Sequence, residues 1–485
     1  MPRSSSARAV MATTPSGGSG LTVEERLADI VGAPNVDVGA GVNGDDTHDE
    51  ALTGGPVRPM AVVRPASTAE VAAIVELARS RGVPVTPRGS GTGLSGGCTP
   101  VEGGLVVSFE RMNRILEIDT DNHVAVVEPG VTLADLDAAL LPHQLLYPVF
   151  PGEQSASLGG NIATNAGGMR AVKYGVTRHH ILGIEAVLGT GEIINAGGKF
   201  VKSTSGYDLT QLIIGSEGTL ALVTRATLRL HPRPGHQATL LAPFATVGGI
   251  AASVPPIVAS GVGPLMVEYI DLVSMAGITA NAGIDLGIPD DVRKEALAYL
   301  VIVLEGHDAD RLDEDTQALA ELLAELGALD VYVLPPHAGT QLVEARERAF
   351  WAAKAAGADD IVDVVVPRSS IPGYLDTVNE LSTRTSSLVV GCGHAGDGNV
   401  HLSVWQSDPD VRRKLLHAIV AAGVALGGAV SGEHGIGTEK RAYLAELEDP
   451  GKLALMGRIK TAFDPHGILN PGTIFDPVPA TGEPQ

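Results

Sequence analysis

The most restrictive feature of this chain is a glycine-rich loop, PRGSGTGLSGG (87–97), that follows a strand–helix–strand pattern. Hydrophobic periodicity predicts a strand in VRPMAVVRPAS, a helix in VAAIVELARSRG and a short strand in VPVTP, directly before the loop. Capping-box spacing from Ser67 to Glu70 marks the start of the helix, and Gly82 marks its end. A loop so rich in glycine indicates backbone conformations that other residues avoid.

The loop contains the spacing GxGxxG, from Gly91 to Gly96, but not the context of a dinucleotide-binding fingerprint. That fingerprint requires a helix directly after the glycines. Here CTPVEGGLVVSFERM follows, with a proline, two glycines and a β-rich run, so we predict a fold that is not Rossmann-like. Successive backbone N–H groups can still surround a pyrophosphate without a helix, and Arg88 can add a positive charge. A flexible surface loop is the alternative.

Two further glycine-rich stretches follow in the first half of the chain. They are PGEQSASLGGNIATNAGGMRAVKYG (151–175) and the GSEG turn within DLTQLIIGSEGTLALVTRATLRL (208–230). Any one of them alone could be a buried loop. Three such loops within about 150 residues indicate a long, extended ligand that the backbone approaches closely.

A different chemistry occurs in two glycine-rich turns of the second half, GCGHAGDGNVHL (391–402) and SGEHGIG (431–437). On one unbroken strand, the spacing of seven between His394 and His401 would send the side chains to opposite faces. The run GDGN between them is typical of a hairpin turn, which lets both imidazoles face one point. With Glu433, they form a ligand set suited to Zn, Mn or Fe. Two ordinary histidines beside a tight turn are the alternative.

Length and charge limit the class of protein. The 485 residues predict about two to four domains, and the segment HPRP (231–234) predicts a boundary. We expect a disordered tail over 1–20, domains over 21–233 and 234–475, and a second tail over 476–485. In the second domain, strands are predicted in PLMVEYID, AYLVIVLEG, DIVDVVVPRSSI and SSLVVGCG, and helices in DTQALAELLAELGA, ARERAFWAAKAA and VRRKLLHAIVAAGVALGG.

The formal net charge of −22 argues against binding to nucleic acid or to anionic lipid. Cys98 and Cys392 are too few for a disulfide framework, which fits a reducing compartment. We found no secretory signal at the N-terminus and no apolar run near the roughly 20 residues of a membrane span. The expected location is cytoplasmic, with peripheral attachment to a membrane as a variant.

Six motifs in order resemble the FAD-linked 2-hydroxyacid dehydrogenases of the vanillyl-alcohol-oxidase type. They are PRGSGTGLSGG, LGGNIATNAGG, GSEGTLALVT, GHAGDGNVHL, GEHGIGTEKR and FDPHGILNPG, between Val57 and Phe475. The family includes D-lactate dehydrogenases, the flavin subunit of glycolate oxidase and D-2-hydroxyglutarate dehydrogenases. The resemblance implies an α+β protein. Its N-terminal FAD-binding domain (PCMH-type) would have two subdomains, and its C-terminal substrate domain an antiparallel sheet with flanking helices.

The resemblance also implies which residues bind FAD. Those around the pyrophosphate would be Pro87, Arg88, Gly89, Ser90, Gly91, Thr92 and Gly93. Those along the flavin and its linker would be Ser157, Gly159, Gly160, Asn161, Thr164, Asn165, Gly167, Gly168, Tyr174 and Gly175. Those at the adenine end or ribityl chain would be Gly215, Glu217, Gly218 and Val223, with Asn470 near the isoalloxazine. The first loop lacks the histidine that attaches FAD covalently in some relatives, so non-covalent FAD is expected.

By the same resemblance, His394, His401 and Glu433 would bind a divalent metal, Zn or Mn, and His434 would be the catalytic base. The implied reaction is oxidation of a D-2-hydroxy acid of the lactate or glycolate class, with hydride transfer to the flavin. An external acceptor, whether a cytochrome, a quinone or an electron-transfer flavoprotein, would reoxidise FAD. The expected partners are therefore this acceptor, the small 2-hydroxy acid and, in a homodimer, a second copy of the chain.

Two positions depart from the family pattern. Lys354 stands where relatives have the arginine of Trp-x-x-Arg, which grips a substrate carboxylate, and a lysine cannot reproduce that planar fork. Ser403 stands where hydroxyglutarate-type members have asparagine. Both differences weaken the case for D-2-hydroxyglutarate as substrate. The predicted substrate-binding residues are Lys354, Arg368 and Ser403, with a solvated helix residue as the alternative for Lys354.

Three other functions are compatible with parts of the sequence. A metallohydrolase could use His394, His401 and Glu433 to activate water, but it leaves the glycine-rich first half unexplained. A non-catalytic flavin subunit would only pass electrons within a complex. A third possibility is a family branch that uses FAD to exchange an acyl group for an alkyl chain without net redox, and a lipid pocket would mark it.

Overall fold

The structure is a computed structural model that describes residues 21–476. The predicted tail over 1–20 lies outside the described residues, as does all but the first residue of the tail predicted over 476–485. Three main sheets and a two-stranded one carry helices packed against them. The predicted α+β class is therefore confirmed.

The first unit is a four-stranded sheet with two helices. Its elements are α1 (Val23–Val31), β1 (Val36–Val38), β2 (Ala61–Val63), α2 (Thr68–Arg81), β3 (Val85–Arg88) and β4 (Leu105–Ser108), with sheet order β1-β2-β4-β3. β2 and β3 pair with β4 in parallel, and β1 is antiparallel. Ser67 caps α2, and Gly82 ends it in a left-handed conformation, as predicted. The glycine-rich loop leads from β3 to β4 and not to a helix, which confirms that the fold is not Rossmann-like.

The second unit is a five-stranded antiparallel sheet in the order β5-β6-β10-β8-β9. Its elements are β5 (Ile115–Asp119), β6 (Val124–Val127), α3 (Leu133–Leu140), β7 (Leu145–Leu146), α4 (Leu158–Thr164), α5 (Ala171–Tyr174), β8 (Ile181–Leu188), β9 (Ile193–Gly197), α6 (Leu209–Ile213), β10 (Ala221–Arg229) and β11 (His231–Pro232). β7 and β11 form the two-stranded sheet. Sequence analysis did not predict α4 and α5, because the stretch that forms them is rich in glycine, a poor helix former.

The third unit is a seven-stranded antiparallel sheet in the order β15-β12-β14-β13-β17-β18-β16. Its elements are β12 (His236–Phe244), α7 (Val247–Ala259), β13 (Met266–Asp271), α8 (Leu272–Ala282), α9 (Asp290–Glu295), β14 (Ala298–Gly306), α10 (Ala309–Glu325), β15 (Tyr332–Leu334), α11 (Pro336–Glu347), α12 (Ala349–Ala355), β16 (Asp360–Val365), α13 (Ile371–Thr385), β17 (Leu388–His394), β18 (Asn399–Trp405) and α14 (Pro409–Ala425). The four predicted strands and the α10 and α14 helices are confirmed. The single helix expected in ARERAFWAAKAA is two helices, because the ψ of 7° at Arg348 leaves the helical range.

The end of the described chain returns to the first unit. After α15 (Arg441–Leu447) and α16 (Pro450–Phe463), Ile468 and Leu469 are buried in the core of the four-stranded sheet. The N–H of Val85 donates to Ile468 O, and the N–H of Asn470 donates to Val85 O, both at 2.8 Å. The predicted domain limits stay a prediction. The last segment, which they assign to the second domain, packs on the sheet of the first unit. No helix within 21–476 is both long and apolar enough to cross a membrane.

Candidate active site

A cavity of ≈ 640 Å³ lies between the glycine-rich loops of the first half and the histidine-bearing strands of the second. The loop 87–93 and the stretch 156–164 line one part of it, and His394, His401, Glu433 and His434 line another. The volume lies within the range of about 300–1,000 Å³ that is typical of ligand sites. The two chemistries that the sequence suggested separately thus share one cavity.

The two histidines occupy one face of the hairpin formed by β17 and β18. His394 ends β17, and His401 pairs with Cys392, two residues before His394, so their side chains point to the same side. Their ring centroids lie 4.9 Å apart. Gly398 makes the connecting turn with a φ of 87°, a conformation that favours glycine. The predicted hairpin is confirmed.

Glu433 joins the two imidazoles. Its Oε1 lies 3.0 Å from His394 Nε2 and 3.1 Å from His401 Nε2. Its Oε2 accepts a hydrogen bond from the backbone N–H of Gly168, which fixes the carboxylate against the second glycine-rich stretch. Two imidazole nitrogens and a carboxylate oxygen therefore converge on one point, with the geometry expected of a group that can hold a divalent cation.

A second carboxylate lies behind each histidine. Glu268 Oε1 is 2.8 Å from His394 Nδ1, and Asp363 Oδ1 is 3.8 Å from His401 Nδ1. Burial opposes a charge on His394, but Glu268 and Glu433 outweigh it and hold the His394 pKa well above 6.5. Outer carboxylates of this kind orient histidines in metal sites and make them stronger ligands.

Asp363 also organises the turn that carries Glu433 and His434. This fully buried carboxylate accepts hydrogen bonds from the backbone N–H groups of 432–434 and lies 3.1 Å from Lys440 Nζ. Burial would raise the pKa of Asp363, but Lys440 and the neighbouring histidines hold it well below its usual range. One carboxylate thus sets the position of the whole turn.

His434 lies beside the proposed ligands, and its ring stacks on that of His401 at 5.0 Å. Burial lowers its pKa to about 4 although Asp363 favours the charged form, so the imidazole is neutral at neutral pH. Its backbone is tied to the first glycine-rich loop, since Ser95 Oγ donates to His434 O at 3.0 Å. A neutral, positioned imidazole can accept a proton.

Most of the residues predicted to bind FAD line the cavity. These are Pro87, Arg88, Gly89, Ser90, Gly91, Thr92, Gly93, Ser157, Gly159, Gly160, Asn161, Thr164, Gly167, Glu217, Gly218 and Val223. Gly91 has a φ of 77°, and a Cβ there would overlap the Arg88 guanidinium. Asn161 Nδ2 is buried without a partner among the described residues, as expected of a donor that faces a ligand.

The other six predicted residues lie outside the cavity lining, and three of them hydrogen-bond through their side chains to neighbouring residues. Asn470 Nδ2 donates to Gly97 O and Glu217 O, both at 2.8 Å. Tyr174 Oη lies 2.6 Å from Glu305 Oε1, and Asn165 Oδ1 accepts from Arg178 N. The remaining three are Gly168, Gly175 and Gly215, which the structure places in the loops around the cavity.

Of the predicted substrate-binding residues, only Ser403 lines the cavity. Lys354 Nζ lies 2.5 Å from Glu50 Oε2, and Arg368 lies on another surface of the molecule, near Asp397. Sequence analysis missed Arg346, a buried cation on α11 that lines the cavity 3.0 Å from Glu268. It also missed Glu268 and Asp363. Each of those is an acid in the interior of a mostly apolar strand, a signal that could have identified both.

Comparisons with known proteins agree with this geometry. The family model for the C-terminal domain of FAD-linked oxidases matches residues 233–474, and the model for an FAD-binding domain matches residues 59–197. An uncharacterized FAD-linked oxidoreductase of Mycobacterium tuberculosis is 56% identical over 93% of this chain and 98% of that protein. A D-lactate dehydrogenase of Archaeoglobus fulgidus is 40% identical over 85% and 90%. The glycolate oxidase subunit GlcD of Bacillus subtilis is 37% identical over 86% and 89%.

Solved structures extend the likeness to the fold. p-Cresol methylhydroxylase superposes with a TM-score of 0.77 at 18% identity, covering 94% of this chain and 96% of the other. An alkyldihydroxyacetonephosphate synthase superposes with a TM-score of 0.73 at 18% identity, covering 93% and 85%. At this level of identity the likeness concerns the fold alone, and it confirms the predicted FAD-binding architecture.

Proposed function

Because the chain belongs to the FAD-linked oxidoreductases that include D-lactate dehydrogenases and glycolate oxidase GlcD subunits, we propose that it oxidises a D-2-hydroxy acid to the 2-oxo acid. Non-covalent FAD would be the hydride acceptor, and an external acceptor would take the electrons. The observation that carries this proposal is the single cavity that joins the glycine-rich loops to His394, His401, Glu433 and His434.

The residues around the cavity fit FAD. The loop 87–93 presents backbone N–H groups from a stretch in which a side chain at Gly91 has no room. Asn161 offers an amide donor that no described residue uses. No histidine occurs between residues 87 and 97, which supports non-covalent binding. When bound, the flavin supplies the hydride acceptor.

The residues at the other end fit a divalent cation, with Zn or Mn as the best match to two imidazoles and a carboxylate. We assign His394, His401 and Glu433 as its ligands. A divalent cation held there would lower the pKa of the substrate's 2-hydroxyl, and it would take the place of the proton that Glu268 and Glu433 hold on His394. Glu268 orients His394 from behind through a hydrogen bond, and Asp363 lies behind His401 at 3.8 Å, beyond hydrogen-bond distance.

His434 accepts the hydroxyl proton. Its imidazole is neutral because burial lowers its pKa to about 4, so a ring nitrogen is free at neutral pH. Asp363, with Nδ1 of His434 4.0 Å from its Oδ2, stabilises the imidazolium that forms. Arg346 is the cation nearest this cluster in the cavity lining, and we assign it to the substrate carboxylate.

Anaerobic bleaching of the flavin tests the proposal. A panel of D- and L-2-hydroxy acids is mixed with the FAD-loaded protein, and flavin absorbance is followed by stopped flow. We expect at least one D-acid to reduce the flavin and His434→Asn to slow that reduction by about 100- to 10,000-fold, the usual contribution of a general base. If no hydroxy acid bleaches the bound flavin, the chain is a non-catalytic flavin subunit and the proposal is wrong.

A further inference from the structure

The face of the seven-stranded sheet that carries the histidines extends outward into a mostly apolar surface formed by β16, β17 and β18. Strand register pairs β17 with β18, and alternate residues point to the same face. The rows on this face, in order outward, are Cys392 with His401, Val390 with Ser403 and Ile361, and Leu388 with Trp405. All of these residues line the cavity.

Two helices face these rows. Val273, Gly277 and Ile278 on α8 line the cavity, and so do Phe350 and Trp351 on α12. Exposure increases outward along the rows, from 8% at Cys392 to 50% at Leu388. The surfaces of sheet and helices therefore enclose a passage from the histidines to solvent, which we call the outer channel.

The outer channel is mostly apolar, with Ser403, Ser274 and Asn281 as neutral polar residues of its lining, and its inner end is charged. Among the described residues that line the cavity, the only lysine or arginine side chains are Arg88, on the first glycine-rich loop, and Arg346. Arg346 lies at the inner end, since it pairs with Glu268, which in turn contacts His394. Lys354 is not among the lining residues: its Nζ lies 5.3 Å from the centroid of the Trp351 ring, and it pairs with Glu50.

We propose that the outer channel binds an apolar side chain, several carbons long, of the 2-hydroxy acid that this site oxidises. The carboxylate and the hydroxyl then lie at Arg346 and the histidine cluster, and the chain runs outward past Val390 and Leu388. From Cys392 to Leu388 the strand advances four residues, or about 13 Å. With bonds of about 1.5 Å at tetrahedral angles, an extended chain advances about 1.3 Å per carbon, so a chain of up to about ten carbons fits this length.

The same surface disfavours a dicarboxylate. A second carboxylate in the outer channel would lose its hydration without a cationic partner from the lining residues. The preference therefore concerns both chain length and polarity. This inference rests on the proposed function for its chemistry, but the binding of the chain can be measured without any oxidation.

The first test measures binding alone. Calorimetry compares octanoate with propionate, neither of which has a hydroxyl to oxidise, on the FAD-loaded protein. We expect octanoate to bind at least about 30-fold more tightly, since each methylene buried gains roughly threefold. Equal affinities would overturn the channel assignment. Tight octanoate binding without bleaching by any 2-hydroxy acid would support the channel and refute the proposed oxidation.

The second test measures turnover with matched substrates. D-2-hydroxypentanoate and D-2-hydroxyglutarate have five carbons each and differ in a terminal methyl or carboxylate. We expect kcat/KM to be at least about tenfold higher for the pentanoate, and to rise from lactate to D-2-hydroxyoctanoate. A preference for lactate or for the dicarboxylate would leave the oxidation established and the inference overturned.

The third test changes the channel. Val390→Asp and the milder Val390→Thr should each lower the ratio of kcat/KM for D-2-hydroxyoctanoate over lactate, by more than tenfold for the aspartate. Flavin content confirms folding. Val333→Asp is the control, because Val333 lies on β15 of the same sheet, 56% exposed and outside the cavity lining. A ratio unchanged in both Val390 variants would count against the inference.

Discussion

At the scale of single residues, the site contains two histidines that each lie between two carboxylates, and His394 contacts both of its carboxylates at hydrogen-bond distance. His394 lies between Glu268 and Glu433, and His401 lies between Asp363 and Glu433. The three carboxylates exceed the neighbouring cations Arg346 and Lys440 by one negative charge, which either a proton on His394 or a cation at the point of convergence offsets. This balance is the physical reason to propose that a divalent cation occupies the point where the three groups converge.

Ligand removal tests that assignment. His394→Ala and His401→Ala should each weaken metal affinity by more than the roughly 10- to 100-fold that loss of an outer partner causes, so that the metal bound per FAD and turnover both fall. FAD should remain bound. Elemental analysis against flavin absorbance measures both. His417→Ala is the control, because His417 is a half-exposed residue on α14 that pairs with Glu446. Wild-type turnover in the double variant would rule out the metal.

A second residue-scale prediction separates Arg346 from Lys354. Arg346 is buried in the cavity lining, whereas the Lys354–Glu50 pair is partly exposed. We expect Arg346→Lys to raise KM for the best substrate by about tenfold or more, the scale of about 1.5–3 kcal/mol for a charged hydrogen bond. Lys354→Ala should cost less than about 1 kcal/mol, as exposed pairs do. If steady-state kinetics show a larger rise in KM for Lys354→Ala than for Arg346→Lys, then Lys354 and not Arg346 binds the substrate carboxylate.

At the scale of elements, the backbone of the glycine-rich loops packs closely against neighbouring side chains, and these contacts fix the position of the loops. Gly91 has no room for a Cβ beside Arg88, and Gly96 none beside Thr438. The loops therefore hold one another and the turn 431–437, in addition to presenting N–H groups to the cavity. Glu217 shows the same role, because its carboxylate accepts from the N–H groups of Ile436 and Gly437.

Gly91→Val should therefore displace the Arg88 side chain, distort the loop 87–93 and release most of the FAD. The matched control is Gly103→Val, which has a similar φ of 75° but nothing within 4 Å of its added Cβ. Backbone strain is thus comparable in the two variants, and only the first lies on the cavity lining. Flavin content per protein measures the difference. Full occupancy in Gly91→Val would remove this loop from the FAD site.

Elements with clear periodicity were predictable, and contacts between distant elements were not. Strands such as β14 and helices such as α14 follow from the spacing of their apolar residues. The pairing of Lys354 with Glu50 joins residues 304 positions apart, which no local pattern encodes. Arg346 was missed for the same reason, because its role depends on its ion pair with Glu268 on β13, 78 positions earlier in the chain.

At the scale of the whole molecule, α16 and the segment that follows it pack back against the first and second units. Lys460 on α16 donates to Thr219 O and Leu469 O and pairs with Asp464, which binds the segment after α16 to the second unit. Ile468 and Leu469 then complete the core of the first sheet. The two halves that form the cavity are thus joined by this segment as well as by the 231–234 connection.

Leu469 provides the sharpest test of that closure. It is fully buried in the core that contains β3 and β4, so Leu469→Ala should lower the free energy of unfolding by about 2–5 kcal/mol. Leu455→Ala, on the half-exposed side of α16, should change it by less than about 0.5 kcal/mol. Denaturant unfolding of the FAD-loaded variants measures both. Because Val85, which pairs with this segment, directly precedes the glycine-rich loop, we also expect Leu469→Ala to release FAD at lower temperature. Identical unfolding and FAD release in the two variants would show that the returning segment contributes nothing to the first unit.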